Sequence, residues 1–261
     1  MSWIITGTQN LDPDAAVYID RVETADGQSL EEGVKLAYST FVAGCKDDGI
    51  WDAIKASCIL AGARTLNGAL VPLVGTAPTS YNFVAGDYDR ETGLIGDGST
   101  KYLDSNRAVD ADPQNNAHGA VYVSTTATNA GAHLGAVVNT PSINRYLQIA
   151  AVNNITDLIA IRSAEFFQGS PRKTGLLGAS RSASSFFLAR SGGATSSAIS
   201  STSLALGAFN YLVFAQNLNN STVLNASNAR IAFYSIGESL DLALLDARVT
   251  TLMSDLAAAI P

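Results

Sequence analysis

ARIAFYSIGESLDLALLDARV, residues 229–249, changes its hydrophobic period at its middle. Up to Gly237 the apolar residues follow the period of two that is typical of a β-strand, and both faces of that strand are apolar. After Ser239 they recur every three or four positions, which is the spacing of an amphipathic helix. Because a strand with two apolar faces must be covered on both, the segment predicts a central, buried strand that leads directly into a C-terminal helix.

Each half of the segment also predicts which side chains share a face. In the strand, Ile231 and Phe233 fall on one face, while Ala232, Tyr234 and Ile236 fall on the other. In the helix, one stripe collects the apolar residues Leu245, Val249, Leu252, Met253, Leu256 and Ile260.

The period of two extends back to about residue 70. Gly, Asn, Ser, Asp and Pro interrupt it at intervals of about ten residues, which is typical of an antiparallel sandwich or barrel and not of βαβ units. The predicted strands lie in segments 80–88, 94–105, 118–126, 131–139, 145–153, 158–164, 174–193, 209–217 and 229–237. The predicted fold class is mainly β, with an antiparallel β-sandwich as its body.

The residues before the sandwich show helical spacing. A first amphipathic segment begins near Ser29, and a second one is GIWDAIKASCILAG at 49–62, so a helical hairpin is predicted over 29–62. Residues 1–26 are weakly patterned and are interpreted as either a short helix or an extended arm. We expect the C-terminal helix to pack on this hairpin and not to fold back on the sheet, because two amphipathic ends bury each other's apolar faces most simply.

The chain is thereby divided into three segments. They are an N-terminal arm with a helical hairpin that serves attachment (1–70), the β-sandwich (71–238), and the C-terminal helix (239–261).

Composition narrows the function classes. Of 261 residues only 15% are charged and 47% are hydrophobic, which suits a well-buried β body. The net charge of −7 argues against a nucleic-acid surface. The start of the chain lacks the cationic and apolar regions of a signal peptide, and no apolar run reaches the ~18 residues of a membrane span. We therefore expect a soluble protein that is either cytosolic or assembled from the cytosol. Cys45 and Cys58 are expected to be either free and buried or bridged between neighbouring helices.

Three segments resemble parts of concanavalin A-like, laminin-G-like sandwiches. TGLIGDGSTKYLD (92–104) resembles their entry strand, GLLGASRSASSFFLARSGG (175–193) their mid-domain hairpin, and ARIAFYSIGESLDLALLDARVTTL (229–252) their closing strand with its short helix. The order and spacing of these segments carry the resemblance over residues 80–255. It implies that the sandwich is of the concanavalin A-like, jelly-roll kind.

The whole chain also resembles a group of tailed-phage virion proteins. They carry DGIWDAIKASCILAGARTLNGALVPLVGTAPT (48–79) ahead of such a sandwich and end in YSIGESLDLALLDARVTTL (234–252). This resemblance implies a non-enzymatic structural protein of the virion, a tail fibre or appendage subunit whose sandwich recognises a host-surface glycan. Its partners would be other virion proteins and sister copies, commonly as a homotrimer. The alternatives are a capsid decoration (cement) protein without a ligand, and a polysaccharide-cleaving enzyme.

The residues give little support to an enzyme. Glucanases on this sandwich alternate acids along one strand, and no such run occurs here. The nearest approach is AGDYDRETG (85–93), which its glycines mark as a loop. His118 and His133 are the only histidines, and no G-x-S-x-G elbow accompanies them. No cofactor is predicted.

Calcium is the one ion that the resemblance suggests, because laminin-G-like domains bind it through Asp side chains and carbonyl oxygens at a loop rim. Asp97, Asp104, Asp110 and Asp112 are candidates by residue type only. A role in solvated turns is the preferred interpretation, and no metal ligand is predicted.

Glycan binding calls for aromatic faces at a loop end, with Asn or Asp nearby for hydroxyl groups. Tyr81, Tyr88, Tyr146, Phe166 and Phe167 lie near predicted turns. Because Phe166 and Phe167 are adjacent, one of them must point away from the core of a strand. Tyr88, Tyr146, Phe166 and Phe167 are the predicted ligand-binding residues, with core packing or a subunit contact as the alternative.

The segment NLNNSTVLNASN (217–228) contains two N-x-[ST] sequons, at Asn220 and Asn225. In a chain without a visible secretory signal they indicate only an Asn-rich turn.

Overall fold

A computed structural model describes residues 10–141, 144–152 and 156–261 of the chain. The beginning of the predicted N-terminal arm, residues 1–9, lies outside the described residues. The described chain forms three layers: two β-sheets stacked face to face, and helices on the outer face of one of them. The predicted fold class, a mainly β antiparallel sandwich with N-terminal and C-terminal helices, is confirmed.

The helices and strands have the following bounds. The helices are α1 (Pro13–Asp26), α2 (Glu32–Asp47), α3 (Leu66–Ala69) and α4 (Leu242–Ala259). The strands are β1 (Ile54–Ile59), β2 (Thr79–Tyr81), β3 (Tyr88–Asp89), β4 (Gly93–Ile95), β5 (Tyr102–Ala108), β6 (Ala117–Thr125), β7 (Gly131–Asn139), β8 (Asn144–Val152), β9 (Thr156–Ser163), β10 (Phe167–Gly169), β11 (Gly175–Arg181), β12 (Phe186–Ser191), β13 (Ala194–Thr195), β14 (Ile199–Ser200), β15 (Asn210–Val213), β16 (Gln216–Leu218), β17 (Thr222–Leu224) and β18 (Arg230–Gly237).

The first sheet has the strand order β13-β12-β11-β6-β18-β4-β3, and β1 also pairs with β18 and β14 with β12. The second sheet has the order β10-β9-β8-β7-β15-β5-β2, and β16 and β17 form a hairpin attached to β7. All strand pairs are antiparallel except β16 with β7. One hydrophobic core lies between the sheets, and a second lies between the first sheet and the helices. The outer face of the second sheet carries Tyr102, Asp104 and Leu212, which alternate with core residues and line the candidate ligand-binding cleft.

The closing strand β18 is central and covered on both sides, as its two apolar faces predict. The predicted assignment of its side chains to faces is wrong for two residues, Ile231 and Ala232, and Ala232 lies in the helix-side core. Ile231 joins Tyr234 and Ile236 in the core between the sheets, whereas Phe233 packs in the helix-side core. The cause is a β-bulge between Ile231 and Phe233, because an extra residue inverts the alternation that follows it.

The second predicted helix, over 49–62, is wrong. Residues Trp51–Ala53 form one turn of 3₁₀-helix, and Ile54–Ile59 form strand β1, in which Ser57 pairs with Ser235 of β18. A short apolar run fits a helix or a strand equally well, and here the buried backbone of β18 needs a hydrogen-bonding partner along this edge. The first sheet therefore includes residues from the segment that the sequence assigned to attachment.

The helical hairpin lies earlier in the chain and consists of α1 and α2. Of the two interpretations of residues 1–26, the helix holds for Pro13–Asp26. Asp12 caps α1 by accepting a hydrogen bond from the amide of Asp14 at 2.9 Å, and Pro13 occupies the first helical position.

Helix α4 begins after Asp241, whose carboxylate accepts a hydrogen bond from the amide of Ala243 at 2.7 Å. It packs against α2, as expected, but it also packs against the first sheet, so the expectation that it would not fold back on the sheet is wrong. Arg248 of α4 fixes the contact with α2 through a bidentate ion pair with Asp48, with Nε to Oδ2 at 2.7 Å. Cys45 and Cys58 are both free and buried. No helix in the described ranges has the length and apolarity to cross a membrane.

Candidate ligand-binding site

The four predicted ligand-binding residues do not form one site. Tyr88 is partly buried and donates a hydrogen bond from its hydroxyl to the carbonyl of Ala63 at 2.7 Å. Burial raises the pKa of Tyr88 far above its ordinary value. The ring thus packs at the junction between α3 and the first sheet, and its predicted role in ligand binding stays a prediction.

Tyr146 and Phe166 do come together. Their ring centroids lie 4.5 Å apart, and both rings are half-buried. Phe167, the next residue, packs against the core between the sheets. Tyr146 and Phe166 therefore form an aromatic pair on the second sheet.

A different aromatic pair lines a cleft at the other end of the second sheet. Tyr81 of β2 and Tyr102 of β5 are directly opposite each other in the antiparallel pair. Their rings stack with centroids 4.4 Å apart and planes 12° apart. Cross-strand aromatic pairs stabilise an edge of a sheet, but this pair remains accessible, with Tyr81 39% exposed.

Asp104 follows Tyr102 by two residues and so lies on the same face of β5. Its Oδ1 accepts a hydrogen bond from the amide of Asn106 at 2.8 Å, which holds the carboxylate in place. Its Oδ2 has no hydrogen-bond partner within the described part of the chain. Beside it on the same face, the neighbouring strand contributes Leu212, which pairs with Asp104 and is 2% exposed.

The opposite wall of the cleft is the turn between β16 and β17. Asn219 and Asn220 both have positive φ, +53° and +56°, a conformation that Asn tolerates better than most residues and that allows a tight reversal. The side chain of Asn219 is bonded in both directions to the backbone of Asn139, at 2.8 and 3.1 Å. The turn is thereby tied to the end of β7 and held over the sheet.

This cleft has a volume of about 180 Å³. Its lining residues are Tyr81, Tyr102, Asp104, Leu212, Asn217, Asn220, Ser221, Thr222 and Val223. An apolar floor, two aromatic rings and a set of amide, hydroxyl and carboxylate groups thus share one small concave surface. Partial burial raises the pKa of Tyr102 above its ordinary value, and the charges of Tyr81 and Asp104 act in the same direction.

The sequence contains separate signals for several residues of this cleft, but no signal that they lie together. Tyr81 is one of the aromatic residues near predicted turns, and Asp104 is one of the acidic candidates for calcium. The segment 217–228 is predicted as an Asn-rich turn. The spacing of Tyr102 and Asp104 places them on one strand face and was a usable signal. The juxtaposition of β5 with a turn more than 100 residues later had no local signal.

Two of the four acidic candidates for calcium, Asp97 and Asp112, serve other contacts. Asp97 stabilises its loop by accepting hydrogen bonds from the amide of Lys101 and from the hydroxyl and amide of Thr100. Burial by itself would raise the pKa of Asp97, but these hydrogen bonds hold that pKa well below its ordinary value. Asp112 is buried and forms an ion pair with Arg107. In the ranges that the structure describes, no three His, Cys, Asp or Glu side chains are grouped so that they could hold a metal ion.

Each histidine pairs with a serine, but neither pair is accessible. Nε2 of His118 lies 2.7 Å from Oγ of Ser235, and Nδ1 of His133 lies 2.9 Å from Oγ of Ser227. The histidine rings are 0% and 2% exposed, respectively, so no substrate can reach them in this fold. These are buried structural pairs.

The acids of the segment 85–93 also have local partners. Asp87 forms an ion pair with Lys101 at 2.6 Å, and Asp89 accepts hydrogen bonds from the amides of Glu91 and Thr92 at 3.0 and 2.8 Å. They stabilise a turn and are not aligned as paired catalytic carboxylates.

No family model matches the chain, and no curated protein matches it. Among solved structures, the binding domain of botulinum neurotoxin serotype D matches 77% of this chain and 51% of its own, at 9% identity and a TM-score of 0.49. The CBM40 of Ruminococcus gnavus IT-sialidase bound to α2,3-sialyllactose matches 51% of this chain and 80% of its own, at 13% identity and a TM-score of 0.39.

A mutant of NanB sialidase from Streptococcus pneumoniae matches 53% of this chain, at 13% identity and a TM-score of 0.40. This chain spans about a quarter of that enzyme, 24% of its length. All these TM-scores are below 0.5, so the likeness says nothing about what this chain binds.

Proposed function

We propose that the sandwich is a carbohydrate-binding domain and that the sugar occupies the cleft between Tyr81, Tyr102 and the turn at Asn220. The observation that carries the proposal is the stacked tyrosine pair beside Asp104 and a wall of amide and hydroxyl groups. A sugar ring presents an apolar C–H face and a rim of hydroxyls, and such a ligand needs one apolar surface with a few convergent polar groups.

The size of the cleft sets the expected affinity. Its volume of about 180 Å³ is below the roughly 300–1,000 Å³ of sites for drug-sized ligands, so it holds about one sugar ring. We expect a dissociation constant of order 1 mM for a single cleft, which corresponds to about 4 kcal/mol. Useful binding to a surface would then depend on several copies acting together.

We further propose that the chain is a tail-fibre or appendage subunit of a virion. The sequence resemblance is the main argument for this role, and the arrangement of the layers supports it. The helices cover the first sheet, whereas the cleft opens on the outer face of the second sheet. Attachment through the helices would leave the cleft facing outward. Within the described ranges, three large apolar residues are exposed on the helices, Val17, Leu36 and Leu244, and they would contact sister copies or other virion proteins in a homotrimer.

The acids of the cleft support binding without catalysis as part of this proposal. Glycosidases of the common type need two carboxyl groups that flank the scissile bond, and among the described residues that line the cleft only Asp104 is acidic. We expect a reducing-sugar assay on host polysaccharide to show no release. A rate that disappears in Asp104→Asn would contradict this part of the proposal.

The binding test compares two aromatic pairs on the same sheet. Glycan binding by the whole chain is measured by calorimetry or on a glycan array for Tyr81→Ala, Tyr102→Ala and the matched control Phe166→Ala. We expect a loss of tenfold or more in the first two, about 1.4 kcal/mol each, and little change in the control. An unchanged urea midpoint shows that each variant is folded.

Two outcomes would overturn the proposed site. If Phe166→Ala abolishes binding while Tyr81→Ala does not, the ligand occupies the Tyr146–Phe166 pair that the sequence favoured. If no glycan of a broad array binds the unmodified chain, the domain is not a lectin, and the decoration-protein alternative gains. Labelling this subunit on intact particles separates a tail position from a capsid position.

A further inference from the structure

We propose that the cleft takes neutral sugars and rejects acidic ones, such as sialic and uronic acids. This inference rests on the proposed function and adds to it the chemical class of the ligand. It comes from the lining of the cleft, in which the one charged side chain among the described residues is negative.

Only one charged side chain lines the cleft among the described residues, and it is Asp104. The two cations that flank the cleft residues along β5 are engaged elsewhere. Lys101 lies 2.6 Å from Oδ1 of Asp87, and Nε of Arg107 lies 3.0 Å from Oδ2 of the buried Asp112. Carboxylate ligands are ordinarily held by Arg or Lys, and this cleft has neither in its lining.

The carboxylate of Asp104 is fixed and keeps a free acceptor. One oxygen is held by the amide of Asn106, and Oδ2 has no partner within the described chain, so it can accept a hydrogen bond from a sugar hydroxyl. The carboxylate of an ionised sugar acid, placed at the same point, has no proton to donate to Oδ2 and is repelled by it. The buried Leu212 beside Asp104 excludes water from one side of the carboxylate, which strengthens this repulsion.

The remaining polar groups of the cleft are neutral. Asn217 donates to the carbonyl of Asn210 at 3.0 Å, so its Oδ1 remains as an acceptor. Asn220, Ser221 and Thr222 add amide and hydroxyl groups that both donate and accept. This set matches hydroxyls on a neutral ring and offers no compensation for a negative charge. The net charge of −7 on the whole chain acts in the same direction at long range.

The experiment uses matched pairs of sugars that differ in one carboxylate: glucose and glucuronate, galactose and galacturonate, and their methyl glycosides. Binding of each by the whole chain is measured by calorimetry or on an array. We expect the acidic member of a bound pair to be weaker by about fivefold or more, the effect of two like charges at 4 Å even with full water screening. We expect the ratio to shrink as salt rises from about 0.01 M to about 1 M, since the Debye length falls from about 30 Å to about 3 Å.

A charge-matched pair of variants locates the source of the discrimination. Asp104→Asn keeps the shape and can still accept from the Asn106 amide, and we expect the neutral-to-acidic ratio to fall toward one. Asp20→Asn removes the same charge from an exposed position on α1, beyond the first sheet, and we expect the ratio to be unchanged.

The outcomes separate this inference from the proposed function. Acidic glycans that bind as well as or better than their neutral partners, with binding still lost in Tyr102→Ala, would overturn the inference and leave the cleft as a sugar site. Equal ratios in Asp104→Asn and the unmodified chain would also overturn it. Failure of every neutral and acidic glycan to bind would overturn both.

Discussion

Lowering the pH from about 7.5 to about 5 should destabilise this fold through its two histidines. His118 and His133 are buried in the neutral state. Burial lowers the pKa of His118 to about 4 against the ordinary 6.5, although the Glu238 carbonyl, 2.5 Å from Nδ1, and the charge of Asp112 oppose this. Burial, together with the charge of Arg172, lowers the pKa of His133 to about 4 as well.

The sign and size follow from proton linkage. Below pH 6.5 the unfolded chain binds protons at these histidines and the folded chain does not, so folding loses stability as the pH falls from 6.5 toward 4. The full difference between the pKa of 6.5 in the unfolded chain and the pKa of about 4 in the folded chain corresponds to about 3.4 kcal/mol per histidine, at 1.36 kcal/mol per pH unit. At about pH 5 roughly 2 kcal/mol of it is lost for each, or about 4 kcal/mol for both.

The pH window isolates the histidines from most acids. Carboxylates whose pKa is lowered in the fold stabilise it above their unfolded value and lose that contribution only below about pH 4. Those carboxylates are Asp12, Glu31, Asp48, Asp89 and Asp97. Asp157 is an exception, because burial raises its pKa and acidification therefore offsets part of the loss.

The assay is urea unfolding at about pH 7.5, 6 and 5, with His133→Asn as the non-titrating variant. Asn can place a polar atom near the Nδ1 position that faces Ser227, so the variant keeps that contact while losing the titration. We expect its pH-dependent loss to be about half of the parent's. A parent loss below about 1 kcal/mol, or a variant with an undiminished pH dependence, would refute the reasoning.

Three further predictions concern the packing. Phe233→Ala removes a fully buried ring between the first sheet and the helices and should lower the free energy of unfolding in urea by about 3–5 kcal/mol. A loss below about 1 kcal/mol would contradict the assignment of Phe233 to this core. Asp246→Asn breaks the ion pair of α4 with Arg190 (2.8 Å) and should lower the free energy of unfolding by on the order of 2 kcal/mol. A double-mutant cycle with Arg190→Gln should show coupling, whereas additive effects would exclude the pair as a stabilising contact. Burial raises the pKa of Cys45 and of Cys58 to about 12, so neither thiol should react with an alkylating reagent at neutral pH until urea is added, and rapid native labelling would show an open structure.

The strands could be predicted because their signal is local. Alternation and turn residues at 131–139 or 174–193 report each strand from its own neighbours, and the two apolar faces of 229–237 even report its central position. The run 54–59 is too short for its period to distinguish helix from strand, and a partner at the far end of the chain decided it. The face of Ile231 was decided by a bulge that no pattern in 229–237 reveals.

The candidate cleft shows the same division. Residue types, the two-residue spacing of Tyr102 and Asp104, and the Asn-rich turn are all visible along the chain, because side-chain chemistry and strand periodicity depend on nearest neighbours. That Tyr81 stacks on Tyr102, and that Asn220 closes the wall opposite Asp104, depends on strand pairing between distant segments. Pairing is chosen by the burial and hydrogen bonding of the whole sandwich, so the concave surface exists only after the sheets have assembled.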